Sequence, residues 1–209
     1  MKLKKDFYTR PDVVKVAREL IGKVLVTRID NIYTSGIISE TEAYNGIYDK
    51  ACHAFGGRRT LRNEIMYGEG GNAYIYLCYG IHHLFNVVTN QVDIPDAVLV
   101  RAIFPLDGVE HMLRRRKRDH VDKILAGGPG TVSLSLGLHK GLSGHSLIQK
   151  EIWIEDRQIN ISPENVKITK RIGVESAGAD GLLPYRFVTD FKYFSTLPHI
   201  DKFRLDSSR

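Results

Sequence analysis

From Ala97 to Phe104 the chain reads A-V-L-V-R-A-I-F, apolar at every position but one. A run of this kind makes a buried strand, so Arg101 in its middle needs either an anionic partner or a polar site to face. The candidate partner lies upstream. Gly36 to His53, G-I-I-S-E-T-E-A-Y-N-G-I-Y-D-K-A-C-H, begins as a second strand. Alternation sends Ile38, Glu40, Glu42 and Tyr44 to one face and Ile37, Ser39, Thr41 and Ala43 to the other. Two carboxylates, an aromatic and an aliphatic on one face suit neither a plain core nor plain water. Glu42 beside Tyr44 reads as a carboxylate against an aromatic wall, where desolvation raises its pKa towards that of a useful base. The plainer reading is a glutamate satisfied at a strand edge. Whether Arg101 makes a structural ion pair or lies at the floor of a polar site, Glu42 is its candidate partner.

The rest of the chain surrounds these two strands. Residues 9–22 predict a first helix, with Thr9 as cap, Pro11 in the first turn, an apolar stripe of Val13, Val14, Ala17, Leu20 and Ile21, and Gly22 as its stop. Lys23 to Thr27 is a strand that turns through 31–35 into Gly36–Tyr44. Ala73 to Tyr79 is aromatic and β-branched, and Leu84 to Thr89 is its return strand, so Tyr79-Gly80 falls near a hairpin tip. An aromatic there is either a wedge that enters stacked bases or a side chain folded back into a core. Tyr76, two residues after Tyr74, completes an aromatic slot with Tyr44.

Asp107-Gly108-Val109-Glu110 has the form of a capping box. It opens a helix whose basic end, 114–118, reads as a solvated face. Gly127 to Thr131 reads as a turn opening a helix with free amides for a phosphate, yet Val132, Leu134, Leu136 and Leu138 alternate like a strand, and pattern alone leaves the two open. The last third is mostly β, at 151–155, 166–169 and 185–189. No repeat or linker divides the chain, so one α+β domain over 1–209 is expected, with a curved, mostly antiparallel sheet and helices at its sides.

The net charge of +6 over 209 residues, at a pI near 9.3, favours a polyanionic partner. Arg58, Arg59 and Arg62 follow Gly56 and Gly57 in a loop suited to phosphate contact, or simply to solvent. Two cysteines offer neither a disulfide framework nor a zinc quartet. His82 and His83 lack neighbours at ligand spacing, so no metal site is expected. No run has membrane-spanning length and the start lacks a signal segment, so the expected location is the cytoplasm, or the nucleus of a eukaryote.

Taken together, E-T-E-A-Y (Glu40–Tyr44), A-x-H ending at His53, G-G-R-R-T-L-R-N (Gly56–Asn63), Y-I-Y-L-C-Y-G (Tyr74–Gly80) with Asn86 after it, V-L-V-R-A (Val98–Ala102), G-G-P-G (Gly127–Gly130) and R-I-G-V from Arg171 resemble the alkyladenine (3-methyladenine) DNA glycosylases of the mammalian type. Order and spacing agree from roughly Ala17 to Val188. The resemblance implies a base-excision-repair enzyme that flips 3-methyladenine, 7-methylguanine or hypoxanthine out of duplex DNA. Glu42 would be the general base for a water held by Arg101 and the backbone carbonyl near Ile172. Tyr76 would stack on one face of the base, with Tyr44 and His53 on the other. Asn86 would collide with a purine 2-amino group, and Tyr79 would fill the gap in the duplex.

Arg58, Arg59, Arg62, Gly130 and Thr131 would meet DNA. Water as nucleophile implies no Schiff-base lysine, no metal and no cofactor, and the family's default is a monomer. The resemblance also favours a helix over 129–137. Two departures stand out. Thr131 and Val132 replace the usual Lys or Arg and Leu, which removes one expected phosphate contact, and the mammalian N-terminal extension is not in the sequence. Two rivals remain. A non-catalytic nucleic-acid-binding module would use Tyr74, Tyr76 and Tyr79 for stacking and leave Glu42 idle; a metal-dependent nuclease would need clustered acidic ligands.

Overall fold

The computed structural model describes residues 1–197 and 200–203. Strands β1 (Val24–Ile29) and β2 (Ile32–Tyr44) are joined through Asp30 and Asn31, at φ 53° and 60°. Two left-handed residues are what a tight hairpin turn needs, and Asp and Asn tolerate them. Further on come β3 (Ala73–Cys78), β4 (His82–Thr89), β5 (Asp96–Asp107), β6 (Ile152–Glu155), β7 (Lys167–Thr169) and β8 (Arg186–Val188). They form a curled antiparallel sheet in the order β3-β4-β5-β2-β1-β6, with β8 on β2 and β7 on β8. The architecture is α+β, as expected. The expected domain range also takes in 198–199 and 204–209, which lie outside the described residues.

β2 is the strand on which the site depends. β5 runs along one edge; β1 covers the other as far as Ile37, and β8 takes over opposite Glu40, Thr41 and Glu42. The two glutamates are therefore enclosed by strands on both sides. Their face, however, is not the one that simple alternation predicts. Opposite β5, Ile38 pairs with Ile103 and Glu40 with Ala102, which leaves Ser39 as an extra residue on β2. Thr41 then pairs with Val100, which leaves Arg101 as an extra residue on β5. These two bulges reverse the side-chain parity of both strands. Ile38 consequently joins Ala43, Leu25, Val98, Val100 and Ile103 in the main core instead of standing with Glu40 and Glu42. Burying an isoleucine is worth roughly 1.5–3 kcal/mol, enough to favour an irregularity that also re-aims Arg101.

Helices close the main core. Of the expected 9–22 helix only α2 (Val13–Leu20) forms, and a separate single turn, α1 (Lys5–Tyr8), precedes it. The cap of α2 is Asp12, whose carboxylate accepts from the Lys15 amide at 2.9 Å, and Thr9 instead ends α1. Val13, Val16, Ala17 and Leu20 are buried against the sheet. Helices α3 (Val109–Arg116) and α4 (Pro129–Leu136) pack on its other half, and α4 settles the 129–137 ambiguity as a helix. Val132 and Leu136 face the core, Leu134 faces out, and Leu138 is buried beyond the helix end. A last helix, α5 (Phe191–Ser195), adds Phe194 to a second core with Ile37, Phe104 and Trp153.

Two local expectations fail because tertiary partners compete. No capping box forms at α3, since the Asp107 carboxylate accepts from Ser35 Oγ at 2.6 Å and from Arg157 Nη1 at 2.8 Å. Its N-cap is Gly108 at φ 65°, where an added Cβ would lie 2.1 Å from the Tyr33 carbonyl oxygen. The basic run 114–118 is a solvated face at Arg114 and Lys117 only. Arg115 donates to Ser135 O at 2.9 Å, Arg116 to Leu125 O at 3.0 Å and Arg118 to Asp122 at 2.7 Å. These arginines brace α3 against the segment leading through α4.

Candidate active site

A cavity of about 700 Å³ opens where β3, β4, β5 and the end of β2 meet the loops after β2 and before α4. Tyr44, His53, Tyr76, Asn86, Arg101 and Ile172 line it, and Arg62, Tyr79, Gly130 and Thr131 border the same space. Most of the residues expected to act together are thus brought together. Arg58 and Arg59 are not in its wall.

Glu42 lies immediately behind that wall, with no exposed surface. Its Oε1 accepts from the Ile172 amide at 2.8 Å, and its Oε2 accepts from the Tyr44 hydroxyl at 2.9 Å and from Arg101 Nη1 at 3.3 Å. Three donors fill three of a carboxylate's four acceptor positions. Burial raises the pKa of Glu42, against the opposing pull of Arg101, the Ile172 amide and the Tyr44 hydroxyl. The family resemblance implies a water on the backbone carbonyl near Ile172; the contact present is the Ile172 N–H, which donates to Glu42.

Arg101 has a closer partner than the one expected. Its Nε donates to Glu40 Oε1 at 2.8 Å, and Arg186 Nε reaches the same oxygen at 2.7 Å. Two arginines and two glutamates make a balanced cluster, in which Glu40 holds the bulged Arg101 so that its far end meets Glu42. Glu40 and Arg186 were missed as site residues. Only the repeat of Glu in E-T-E hinted at the first.

Arg171, also missed, anchors the Ile172 amide. It is buried and pairs with both oxygens of Asp49, through Nη1 to Oδ2 and through Nη2 to Oδ1 at 2.9 Å. It also donates to Ala43 O at 2.9 Å and Asp180 O at 2.8 Å. Its guanidinium lies between the rings of Tyr44 and Tyr185, at 4.8 and 5.3 Å. With four bonds from its two terminal nitrogens fixing the guanidinium plane, the next residue's N–H is held on Glu42.

The aromatic part of the cavity is built by β3. Tyr74 and Tyr76 share one face of the strand, with ring centroids 5.4 Å apart. His53 meets Tyr76 edge-on at 4.7 Å and shares a 2.9 Å hydrogen bond with the Tyr74 hydroxyl. In this arrangement His53 touches Tyr76 rather than lying across an open slot from it, so a base between them requires the rings to part. Burial, and then the charges of Arg62 and Arg58, lower the His53 pKa to about 4, which leaves it neutral at pH 7. Asn86 is buried and fixed by donation to Tyr74 O at 3.1 Å and Leu84 O at 3.3 Å.

At the rim, Tyr79 is 93% exposed at the tip of the β3–β4 hairpin, which disposes of the alternative that it folds back into a core. Arg59 is committed to Glu64 at 2.6 Å and Asp93 at 2.8 Å, bracing its own loop. The Thr131 hydroxyl donates to Gly128 O at 2.7 Å and accepts from Gly128 N at 2.9 Å, so it caps α4. Gly130 lies so near His82 that a Cβ would stand 3.0 Å from the ring. Among the described residues no three His, Cys, Asp or Glu side chains gather to hold a metal ion.

A family model described as Methylpurine-DNA glycosylase (MPG) matches residues 6–192. Similar proteins include one from Chlamydia abortus, 45% identical over 191 residues, covering 91% of this chain and 99% of the relative. Another, from Clostridium perfringens, is 38% identical over 204 residues, covering 93% and 99%. A third, from Bacillus cereus, is 40% identical over 200 residues, covering 91% and 95%. All three are provisionally named 3-methyladenine DNA glycosylases.

Proposed function

Because the chain belongs to the methylpurine-DNA glycosylase family, we propose that it is a repair enzyme that excises alkylated and deaminated purines, namely 3-methyladenine, 7-methylguanine and hypoxanthine, from duplex DNA. A base inside a duplex is out of reach of any carboxylate, so the nucleotide must rotate into a pocket, and a weakly paired base costs least to extrude. The observation that carries the reading is a fully buried Glu42, with raised pKa, directly behind an aromatic cavity.

In the reaction, the base stacks against Tyr76, with Tyr44 and neutral His53 on its other side. Electron-rich rings hold a cationic alkylpurine better than a neutral base. Asn86 stands where a 2-amino group would collide, which disfavours guanine. Glu42 takes a proton from a water positioned by Arg101, and that water forms its bond to C1′ as the glycosidic bond breaks. The bonding pair leaves with the purine: a cationic alkylpurine departs neutral, hypoxanthine departs as an anion that takes up a proton, and Glu42 gives its proton back to solvent, leaving the free base and an abasic site. No lysine lines the cavity among the described residues, which favours water over an amine nucleophile. Tyr79 enters the emptied duplex position, while Arg58 and the amides of α4 near Gly130 meet phosphates. On this reading the protein works as a monomer in the cytoplasm, on chromosomal DNA.

Free-base release from a hypoxanthine duplex and from methylated DNA, in chelator, tests the assignment. The wild type should release base, and Glu42→Gln should bind the lesion without releasing it. Release that survives the substitution would remove Glu42 from the chemistry. Tight binding with no release by the wild type would leave a damage-binding module.

A further inference from the structure

Arg62 occupies the aromatic surface that a flipped base would use. Its guanidinium carbon lies 5.0 Å from the Tyr76 ring centroid, at cation–π distance, and it lines the cavity with Tyr44, His53 and Asn86. Charges elsewhere around the cavity are matched. Arg101 and Arg186 meet Glu40 and Glu42, and Arg171 meets Asp49. Among the described residues no carboxylate pairs with Arg62, so the aromatic wall carries one uncompensated positive charge. That charge is felt nearby, since it helps to hold His53 neutral and opposes the rise in the Tyr74 pKa.

We infer that Arg62 is a specificity-determining residue that sets the balance between cationic and neutral lesions at the face of Tyr76. The inference rests on the glycosylase reading above. A 7-methylated purine carries a positive charge and has lost its N7 lone pair. It seeks the same electron-rich face as the guanidinium and is repelled by it. Hypoxanthine is neutral and keeps O6 and N7 as acceptors for the guanidinium N–H groups. Arg62 therefore disfavours the first and assists the second. An arginine that only touched phosphate would not distinguish them, because the backbone is the same for both.

The test uses otherwise identical duplexes carrying one 7-methylguanine or one hypoxanthine, with the wild type, Arg62→Gln and Arg62→Lys. Base release is followed at subsaturating enzyme, and equilibrium affinity is measured in a Glu42→Gln background. Arg62 is exposed on a loop, and thermal melting checks that the variants fold. Arg62→Gln should raise the 7-methylguanine to hypoxanthine ratio about tenfold, the size expected of like charges a few ångströms apart in partly solvated surroundings. Arg62→Lys, which keeps the charge, should stay near the wild-type ratio. An affinity ratio that is unchanged in Arg62→Gln, with both duplexes weakened equally, would overturn the inference and return Arg62 to the phosphate contacts. A wild type that releases neither base would refute the glycosylase reading instead, while the affinity ratio still decides the role of Arg62.

Discussion

The Tyr44 hydroxyl donates to Glu42 Oε2 at 2.9 Å, so one ring both faces the cavity and covers the carboxylate behind it. A hydrogen bond to the charged form favours ionisation, and this one opposes the rise that burial imposes on Glu42. Tyr44→Phe removes the donor and keeps the ring. The Glu42 pKa should then rise, moving the acidic limb of kcat/KM to higher pH by up to about one unit. Activity falls as pH drops through that pKa, so the loss should grow as the pH is lowered and disappear on the alkaline side of the limb. A pH–rate profile identical to the wild type would mean that the bond is absent during turnover.

Glu40→Gln should move the same limb the other way. The Glu40 charge raises the Glu42 pKa, so neutralising it lowers that pKa and extends activity to lower pH. The substitution also weakens the closest hold on Arg101, and maximal kcat should fall by about tenfold or more. Arg101 and Arg186 would then share one carboxylate fewer, at a cost of about 1–3 kcal/mol in urea unfolding. A stability loss with no change in the pH profile would reduce Glu40 to a structural brace.

Arg171→Met breaks a buried pair and strands Asp49. The expected loss is about 3–5 kcal/mol. Asp49→Asn should cost less, because its amide oxygen still accepts, and the double variant should be less destabilised than the sum of the two singles. Arg171→Lys should restore much of the stability but not the activity, since a point charge cannot hold the backbone that aims the Ile172 N–H at Glu42. Full activity in Arg171→Lys would show that this aim is set elsewhere.

Tyr79 stands at φ 50° at the hairpin tip, a conformation that costs a non-glycine residue of order 1 kcal/mol. Tyr79→Gly should therefore match or exceed wild-type thermal stability. Tyr79→Ala should weaken binding to lesion duplex more than to undamaged duplex. Equal losses on the two would count against insertion into the emptied position.

Much of the architecture was legible in order along the chain. The runs at 73–79, 84–89 and 97–104 became β3, β4 and β5 because strand burial is recorded locally, as β-branched and aromatic residues between turn signals. The hairpin tip was equally local. Around the cavity, strand alternation and the charge in a buried run already group Glu42, Tyr44, Tyr76 and Arg101, whereas His53, Asn86 and Ile172 join them only through resemblance to a family. Glu40, Arg186, Arg171 and Asp49 were left out, since nothing local states which carboxylate a given arginine will meet.

The sequence by itself determined which segments could be strands or helices, and that a charge in a buried strand must find a partner. Tertiary structure alone decided the parity of β2 and β5, because a bulge belongs to a pair of strands and neither one encodes it. The same holds for Asp107, drawn from its helix to Ser35 and Arg157, and for Arg101, which bonds Glu40 more closely than Glu42. Capping and alternation are worth about a kilocalorie each. Satisfying a buried charge is worth several. Where the two conflict, the distant partner prevails, and only the folded chain reveals where that partner lies.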